Sequence, residues 1–301
     1  MRTVRILQSQ LTYIDTQADV GTSTGTGTGT GDVPVVFLHG NPTSSHLWRN
    51  VLPHVAGRAR VLAPDLIGMG SSGKPDIAYR FADHARYLDA WFDALGLDQV
   101  VLVGHDWGGS LGLDWAARHP GRVRGVAVVE TFLRPMTWAE YPSAAKEFFR
   151  VLRTPGKGEQ MALEQNWFIE TALRATSPGI SDEDLAAYRA PYPDVASRRP
   201  LLAWPREIPL DGTPADVRDR FLAYDRWLAG TPDVPKLLLT AEPGNLIPPA
   251  VADWAVAGGM AAVEVQGIGR AGHHAPEDQP DAIGRAIAHW LDRHQLTEVT
   301  Q

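Results

Sequence analysis

Short apolar runs recur along this chain, separated by stretches in which apolar residues return every three or four positions. Val35 to Leu38 and Val100 to Val103 are wholly apolar and too short for buried helices. Each reads as a strand buried on both faces, as does Val123 to Val129. Arg60 to Leu66, Lys236 to Thr240 and Ala262 to Val265 read as further strands, and Leu11 to Asp15 as an earlier one. Phe81, His84, Leu88, Trp91 and Leu95 recur at helical steps. A second helix is expected from about Trp107 to Arg118, stopped by His119-Pro120. A last helix, from about Asp281 to Arg293, carries Ile283, Ile287, Trp290 and Leu291 on its apolar face. Strands alternating with helices predict an α/β chain with a parallel sheet covered on both faces.

Two stretches break this rhythm. From Thr131 to about Arg226 there is no clear buried strand, and helical patches are interrupted by many prolines. The expected organisation is a core in two parts, residues 1–130 and 227–301, with a mainly helical insertion, 131–226, between two strands. Such insertions lie over the carboxyl ends of strands, where open α/β sheets bind ligands. The other stretch, Gly21 to Gly31, alternates Gly and Thr and has no side chain that could build a core. It is expected to be a tolerated insertion in a surface hairpin loop between the strands Leu11 to Asp15 and Val33 to Leu38.

Composition narrows the function classes. The 301 residues include no cysteine, which excludes disulfides, Cys-ligated zinc, iron–sulfur clusters and a thiol nucleophile. With 28 basic and 35 acidic side chains the net charge is −7. That balance argues against binding nucleic acid or docking on an anionic membrane. No apolar run approaches the ~20 residues of a transmembrane helix, and Met1 to Gln10 holds none of signal-peptide length. Lys74, Lys146, Lys157 and Lys236 are the only lysines among the basic residues. This arginine bias, with abundant Ala and Gly, is that of a GC-rich bacterial coding sequence, so a bacterial cytoplasmic protein is expected. Ten tryptophans outnumber the eight phenylalanines and seven tyrosines and hint at bulky aromatic walls, though packing explains most of them.

The sharpest chemical signal is Gly104-His105-Asp106-Trp107-Gly108-Gly109, directly after the Val100 to Val103 strand. Glycines two before and two after the central residue mark a nucleophile elbow, a tight strand-to-helix turn that exposes one side chain above the sheet. Many hydrolases carry Ser there; this chain carries Asp106. A carboxylate can displace a leaving group from a saturated carbon and remain as an ester. The second signal, His39-Gly40-Asn41-Pro42-Thr43-Ser44-Ser45, follows the Val35 to Leu38 strand. A loop there can offer N–H groups to an oxyanion, and Asn41 adds a side-chain amide.

With these motifs the chain resembles the haloalkane dehalogenases, a family of the α/β-hydrolase superfamily. The resemblance runs over nearly the whole length. It takes in His39 to Trp48, Asp65 to Gly70, Tyr87 to Ala90, His105 to Gly109, Arg118 to Pro120, Gln165-Asn166, Phe168 to Glu170, Trp204 to Pro209, Glu277-Asp278 and Pro280-Asp281. It implies an α/β-hydrolase fold with an inserted helical cap. It implies hydrolysis of a small apolar halogenated substrate to an alcohol, a halide ion and a proton, with no cofactor or metal. Asp106 would be the nucleophile, and the Trp107 indole and Asn41 amide would hold the halide. Both donors are neutral, so they can stabilise the halide without quenching Asp106. Counting back from Glu277-Asp278 puts the base at His273, with His274 as a neighbouring loop residue where an aromatic or apolar side chain is usual. His105 reads as structural; His46, His54, His84, His119, His289 and His294 read as surface or helix-end residues. The triad acid is placed at Glu130, at the end of a buried strand, over Glu242 in Ala241-Glu242-Pro243-Gly244-Asn245.

Phe168, Pro205 and Leu246 match pocket positions of the family. Trp167 stands where a small aliphatic residue is usual, and Asn245 where an apolar one is, so both bear on pocket size. An epoxide hydrolase shares the elbow; it usually needs two cap tyrosines, for which Tyr141, Tyr188, Tyr192 and Tyr224 are available. A luciferase-like oxygenase or a non-catalytic ligand receptor on the same scaffold are the more distant alternatives.

Overall fold

The strands β1 (Arg2–Ile6), β2 (Ser9–Asp15), β3 (Val35–Leu38), β4 (Val61–Pro64), β5 (Val100–His105), β6 (Val123–Val129), β7 (Lys236–Pro243) and β8 (Val263–Ala271) form one sheet in a computed structural model that describes residues 1–19 and 33–298. Their order is β1-β2-β4-β3-β5-β6-β7-β8. β1 and β2 run antiparallel, β2 is antiparallel to β4, and the remaining pairs are parallel. β1 and the second half of β8 are the edge segments that the apolar pattern passes over. At an edge one side of the strand faces water, and most of their residues are exposed.

Side chains alternate across the central strands and feed two apolar layers. Val36, Leu38, Leu102, Val126 and Val128 pack on one face, with the helices α1 (Phe81–Ala94) and α2 (Trp107–Arg118). Val35, Phe37, Val101, Val103, Ala127 and Val129 pack on the other, beside Ile283, Ile287, Trp290 and Leu291 of the helix Pro280–His294. Burial on both faces is why these strands are apolar throughout.

The expectation of a hairpin loop at Gly21 to Gly31 is corrected in part. β2 and β3 are not neighbours; β4 lies between them, joined to β2 through Tyr13–Pro64 and to β3 through Val35–Val61. The repeat itself lies outside the described residues.

Between β6 and β7 the chain is helical. It includes α3 (Ser143–Leu152) and the helices Asp182–Arg189, Arg199–Glu207 and Ala215–Gly230. Among the described residues this stretch holds no strand, only two isolated bridges, Met136 with Leu210 and Leu210 with Thr213. The helix Ala215–Gly230 packs on α2 and runs straight through position 226, so the boundary expected there falls inside a continuous helix.

The strand order places the site. From β3 the chain moves to β4 on one side, then crosses over to β5 on the other. The carboxyl ends of β3 and β5 therefore flank the switch point, the crevice where open α/β sheets bind ligands. Asn41 follows β3 and Asp106 follows β5.

The elbow tolerates no bulk. A Cβ on Gly108 would sit 2.2 Å from the Leu38 carbonyl oxygen, which is backbone and cannot step aside. A Cβ on Gly112, one turn on, would meet only the Leu38 Cδ1 methyl at 3.3 Å. Gly108→Ala is thus expected to lower the unfolding free energy by about 3 kcal/mol, and Gly112→Ala by less than about 1 kcal/mol, since helix propensity offsets the tight contact. Urea unfolding of the two variants is the check; equal midpoints would contradict this reason for the glycines of the turn.

Candidate active site

Asp106 is the cap residue of α2, with φ 49° and ψ −127°. A side chain rarely adopts that left-handed φ, and such strain persists only where its surroundings enforce it. Here the Asp106 N–H donates to the Glu130 carbonyl at 3.1 Å, and Thr131 Oγ1 donates to the Asp106 carbonyl at 2.6 Å. The carboxylate is buried, and its Oδ2 accepts the backbone N–H of Asn41 at 2.8 Å. Gly40 makes that approach possible, since a Cβ there would lie 2.3 Å from the same oxygen. Burial by itself would raise the Asp106 pKa. The hydrogen bond and charge of His273, the His105 ring and the Asn41 N–H outweigh it and hold the group below its ordinary value.

His273 lies between two carboxylates. Its Nε2 is 3.6 Å from Asp106 Oδ1, and its Nδ1 is 3.4 Å from Glu130 Oε2. Burial favours the neutral ring, but hydrogen bonds to Asp106 and Glu130 and the charge of both lift its pKa to about 10. Glu130 is completely buried at the end of β6. Its Oε2 accepts the N–H groups of Asn245 and Leu246 at 2.9 and 3.0 Å, and its Oε1 accepts that of Ile247 at 3.3 Å. With His273, these donors use the acceptor capacity of an ionised carboxylate, which is what a buried charge needs. Glu242 is exposed.

Asn41 and Trp107 flank Asp106. The Asn41 side-chain Nδ2 lies 3.4 Å from the Leu201 carbonyl oxygen, on the helix Arg199–Glu207. The buried Trp107 ring stacks on Trp204 of that helix at 4.7 Å, with Phe132 at 5.2 Å and Phe81 at 5.9 Å. Phe168, Pro205 and Leu246 are buried. Trp167 is half-buried, stacked on the exposed Phe148 at 5.3 Å and edge-on to Phe168 at 5.2 Å. Asn245 and Leu246, expected as pocket lining, supply two of the N–H groups that fix Glu130.

Three histidine placements carry information that residue type does not. His105 Nε2 donates to the His273 carbonyl at 2.7 Å and so ties the elbow to the histidine loop. His274 is not a simple loop residue. It is buried, with Nδ1 2.6 Å from Thr176 Oγ1 and Nε2 3.5 Å from the Asn41 carbonyl. Burial, with the His273 and His105 charges, drives its pKa well below the ordinary value, so it stays neutral beside a charged neighbour. His84, expected at a surface or helix end, is buried inside α1 and stacks on Trp204 at 4.0 Å. Helical spacing marks its face correctly, but a histidine on that face reads as polar.

Two of the tyrosines that an epoxide hydrolase could use have other tasks. Tyr188 donates its hydroxyl to Glu277, and Tyr224 donates to the Phe132 carbonyl at 2.8 Å. Among the described residues, no group of three or more His, Asp or Glu side chains could hold a metal ion, and no helix is long and apolar enough to cross a membrane.

Comparison with known proteins agrees with this fold. The family model described as alpha/beta hydrolase fold matches residues 33–280. A haloalkane dehalogenase of Mesorhizobium japonicum is 46% identical over 99% of this chain and 93% of its own length. One of Bradyrhizobium diazoefficiens is 48% identical over 97% of this chain and 94% of its own. Among solved structures, the haloalkane dehalogenase DbeA from Bradyrhizobium elkani superposes with a TM-score of 0.90 at 43% identity, covering 98% of each chain. DatA from Agrobacterium tumefaciens does so with a TM-score of 0.87 at 38% identity, covering 97% of this chain and 96% of that one. An aspartate elbow, a histidine between two buried carboxylates and this degree of likeness together mean that the chain belongs to the haloalkane dehalogenase family of the α/β-hydrolase fold.

Proposed function

We propose that this enzyme hydrolyses the carbon–halogen bond of small apolar haloalkanes through an ester on Asp106. The observation that carries the reading is the position of His273, between Asp106 and Glu130, on a scaffold shared with dehalogenases. In the first stage an Asp106 oxygen attacks the halogen-bearing carbon, the carbon–oxygen bond forms, and the halide leaves with the bonding pair. Asn41 and Trp107 stabilise the departing anion as neutral N–H donors. In the second stage His273 takes a proton from water, and the water oxygen attacks the ester carbonyl. The carbonyl oxygen is stabilised by the backbone N–H groups of Asn41 and Trp107. Collapse releases the alcohol and restores the Asp106 carboxylate, while Glu130 keeps the His273 ring oriented.

The raised pKa of His273 fits this order. In the free enzyme the Asp106 carboxylate holds the ring protonated. Alkylation turns that carboxylate into a neutral ester, removes one of the two charges that raise the pKa, and frees His273 to act as base. The base is therefore produced by the first stage. The helical segment between β6 and β7 acts as the cap; its Phe168, Pro205 and Trp167, with Asn245 and Leu246 from the loop after β7, shape the pocket, and Trp167 sets its width.

Three outcomes are expected. His273→Phe still alkylates but loses about a thousandfold in ester hydrolysis, so the intact protein gains the mass of the alkyl group after exposure to a bromoalkane. Normal turnover in that variant would sink the base assignment. In the wild-type enzyme, single-turnover hydrolysis slows as pH falls through the His273 pKa of the alkylated enzyme. Alkylation does not slow there, because the depressed pKa of Asp106 keeps it ionised to lower pH. Stopped-flow measurement of the two phases separates them, and parallel pH profiles would contradict the scheme. Glu130→Gln turns an NH2 group toward N–H donors and is expected to cost about 1–3 kcal/mol of stability as well as turnover, read from urea unfolding and halide release. An unchanged unfolding midpoint would refute the hydrogen-bonding role of Glu130.

A further inference from the structure

The helix Arg199–Glu207 carries a proline in its interior, Pro205. In a helix the N–H of each residue bonds the carbonyl four positions back. Proline has no N–H, and its ring crowds that carbonyl. The carbonyl released here is that of Leu201, and Leu201 is completely buried. A buried carbonyl needs a partner. It has one in the Asn41 side chain, whose Nδ2 lies 3.4 Å away. We propose that Pro205 is a positioning residue for dehalogenation: by withholding an N–H from Leu201 it leaves that carbonyl to clamp the Asn41 amide, nitrogen toward the leaving halide. This role rests on the proposed role of Asn41 as a halide donor.

Donors and acceptors decide which way the amide faces. A carbonyl only accepts, so the edge of the amide that faces Leu201 is its NH2. That group has two hydrogens. One goes to Leu201, and the other remains for the halide. The amide oxygen, Oδ1, is buried with no partner. An amide left to itself would be expected to turn and satisfy that oxygen, yet turning would set Oδ1 against the Leu201 oxygen. The released carbonyl is therefore what holds the donor edge in place. The same helix acts on the second donor, because Trp204 stacks on Trp107 with the rings 24° apart. Trp204 is fixed in turn by Nε1 on Met69 Sδ at 3.3 Å. A proline that served only as pocket wall could be replaced by any side chain of similar size. One that acts by its missing N–H could not.

The test is bromide affinity, titrated through intrinsic tryptophan fluorescence, with thermal unfolding to verify the fold of each variant. Pro205→Ala and Pro205→Gly both restore an N–H to the helix. Each is expected to weaken bromide binding roughly tenfold, the loss of about one hydrogen bond. In an Asn41→Ala background the same substitutions change nothing further. Replacing residue 205 with lactic acid, which makes a backbone ester without an N–H, retains the wild-type affinity although the proline ring is gone. If Asn41→Ala alone binds bromide like the wild type, the halide-donor role of Asn41 fails. If Asn41→Ala weakens binding but the Pro205 variants do not, or their effects persist in its absence, the role of Pro205 fails and that of Asn41 stands. The role of Pro205 fails likewise if the lactate variant binds as weakly as Pro205→Ala.

Discussion

The structure depends on keeping two carboxylates ionised in its interior with one imidazolium between them. Asp106 and Glu130 are both buried, and His273 lies 3.6 and 3.4 Å from them. A buried charge is costly unless paired and hydrogen-bonded, and removing one partner leaves the others exposed to that cost. Here the charges are paired through His273, and the excess negative charge is taken up by backbone N–H groups: Asn41 on Asp106, and Asn245, Leu246 and Ile247 on Glu130. Neutral donors serve this purpose without cancelling the charge of Asp106. The result suits an uncharged substrate and an anionic product, because the charge of His273 is already matched by the two carboxylates beside it.

Much of the fold can be understood as what this arrangement requires. The switch point between β3 and β5 brings Asn41 to Asp106, and β6 brings Glu130 beneath them. The loop carrying His273 is tied down on several sides. Gly272 donates its N–H to Asp278 Oδ2 at 2.8 Å, His105 holds the His273 carbonyl, and Arg49 binds both oxygens of Glu277 at 2.7 Å. Tyr188 and Asp184, from the helix Asp182–Arg189, join that cluster through Glu277 and Arg49. The helical segment between β6 and β7 is thereby fastened to the loop that bears His273.

What can be read from the sequence follows from how local each signal is. The elbow is written in consecutive residues, because steric exclusion at Gly108 and the strained φ of Asp106 admit few alternatives. The central strands are apolar on both faces and announce themselves, whereas β1 and the end of β8 lie at edges and do not. Backbone groups leave no trace in residue type. That Asn245 and Leu246 hold Glu130 by their N–H groups, or that the Leu201 carbonyl meets Asn41, emerges only when the chain is folded. The burial of His274 and His84 escapes the sequence for a related reason. A histidine reads as polar, but a neutral ring stacks and buries like any aromatic, and its surroundings decide which behaviour prevails.

The central claim is that Asp106 forms a covalent ester that water opens at its carbonyl. It is tested most directly by one turnover of excess enzyme on a bromoalkane in oxygen-18 water. Attack at the ester carbonyl puts the label into the Asp106 carboxylate and gives unlabelled alcohol, because the alcohol departs with an oxygen that Asp106 already carried. Labelled alcohol and an unlabelled Asp106 peptide would mean that water attacks the carbon directly, and the ester mechanism would be wrong.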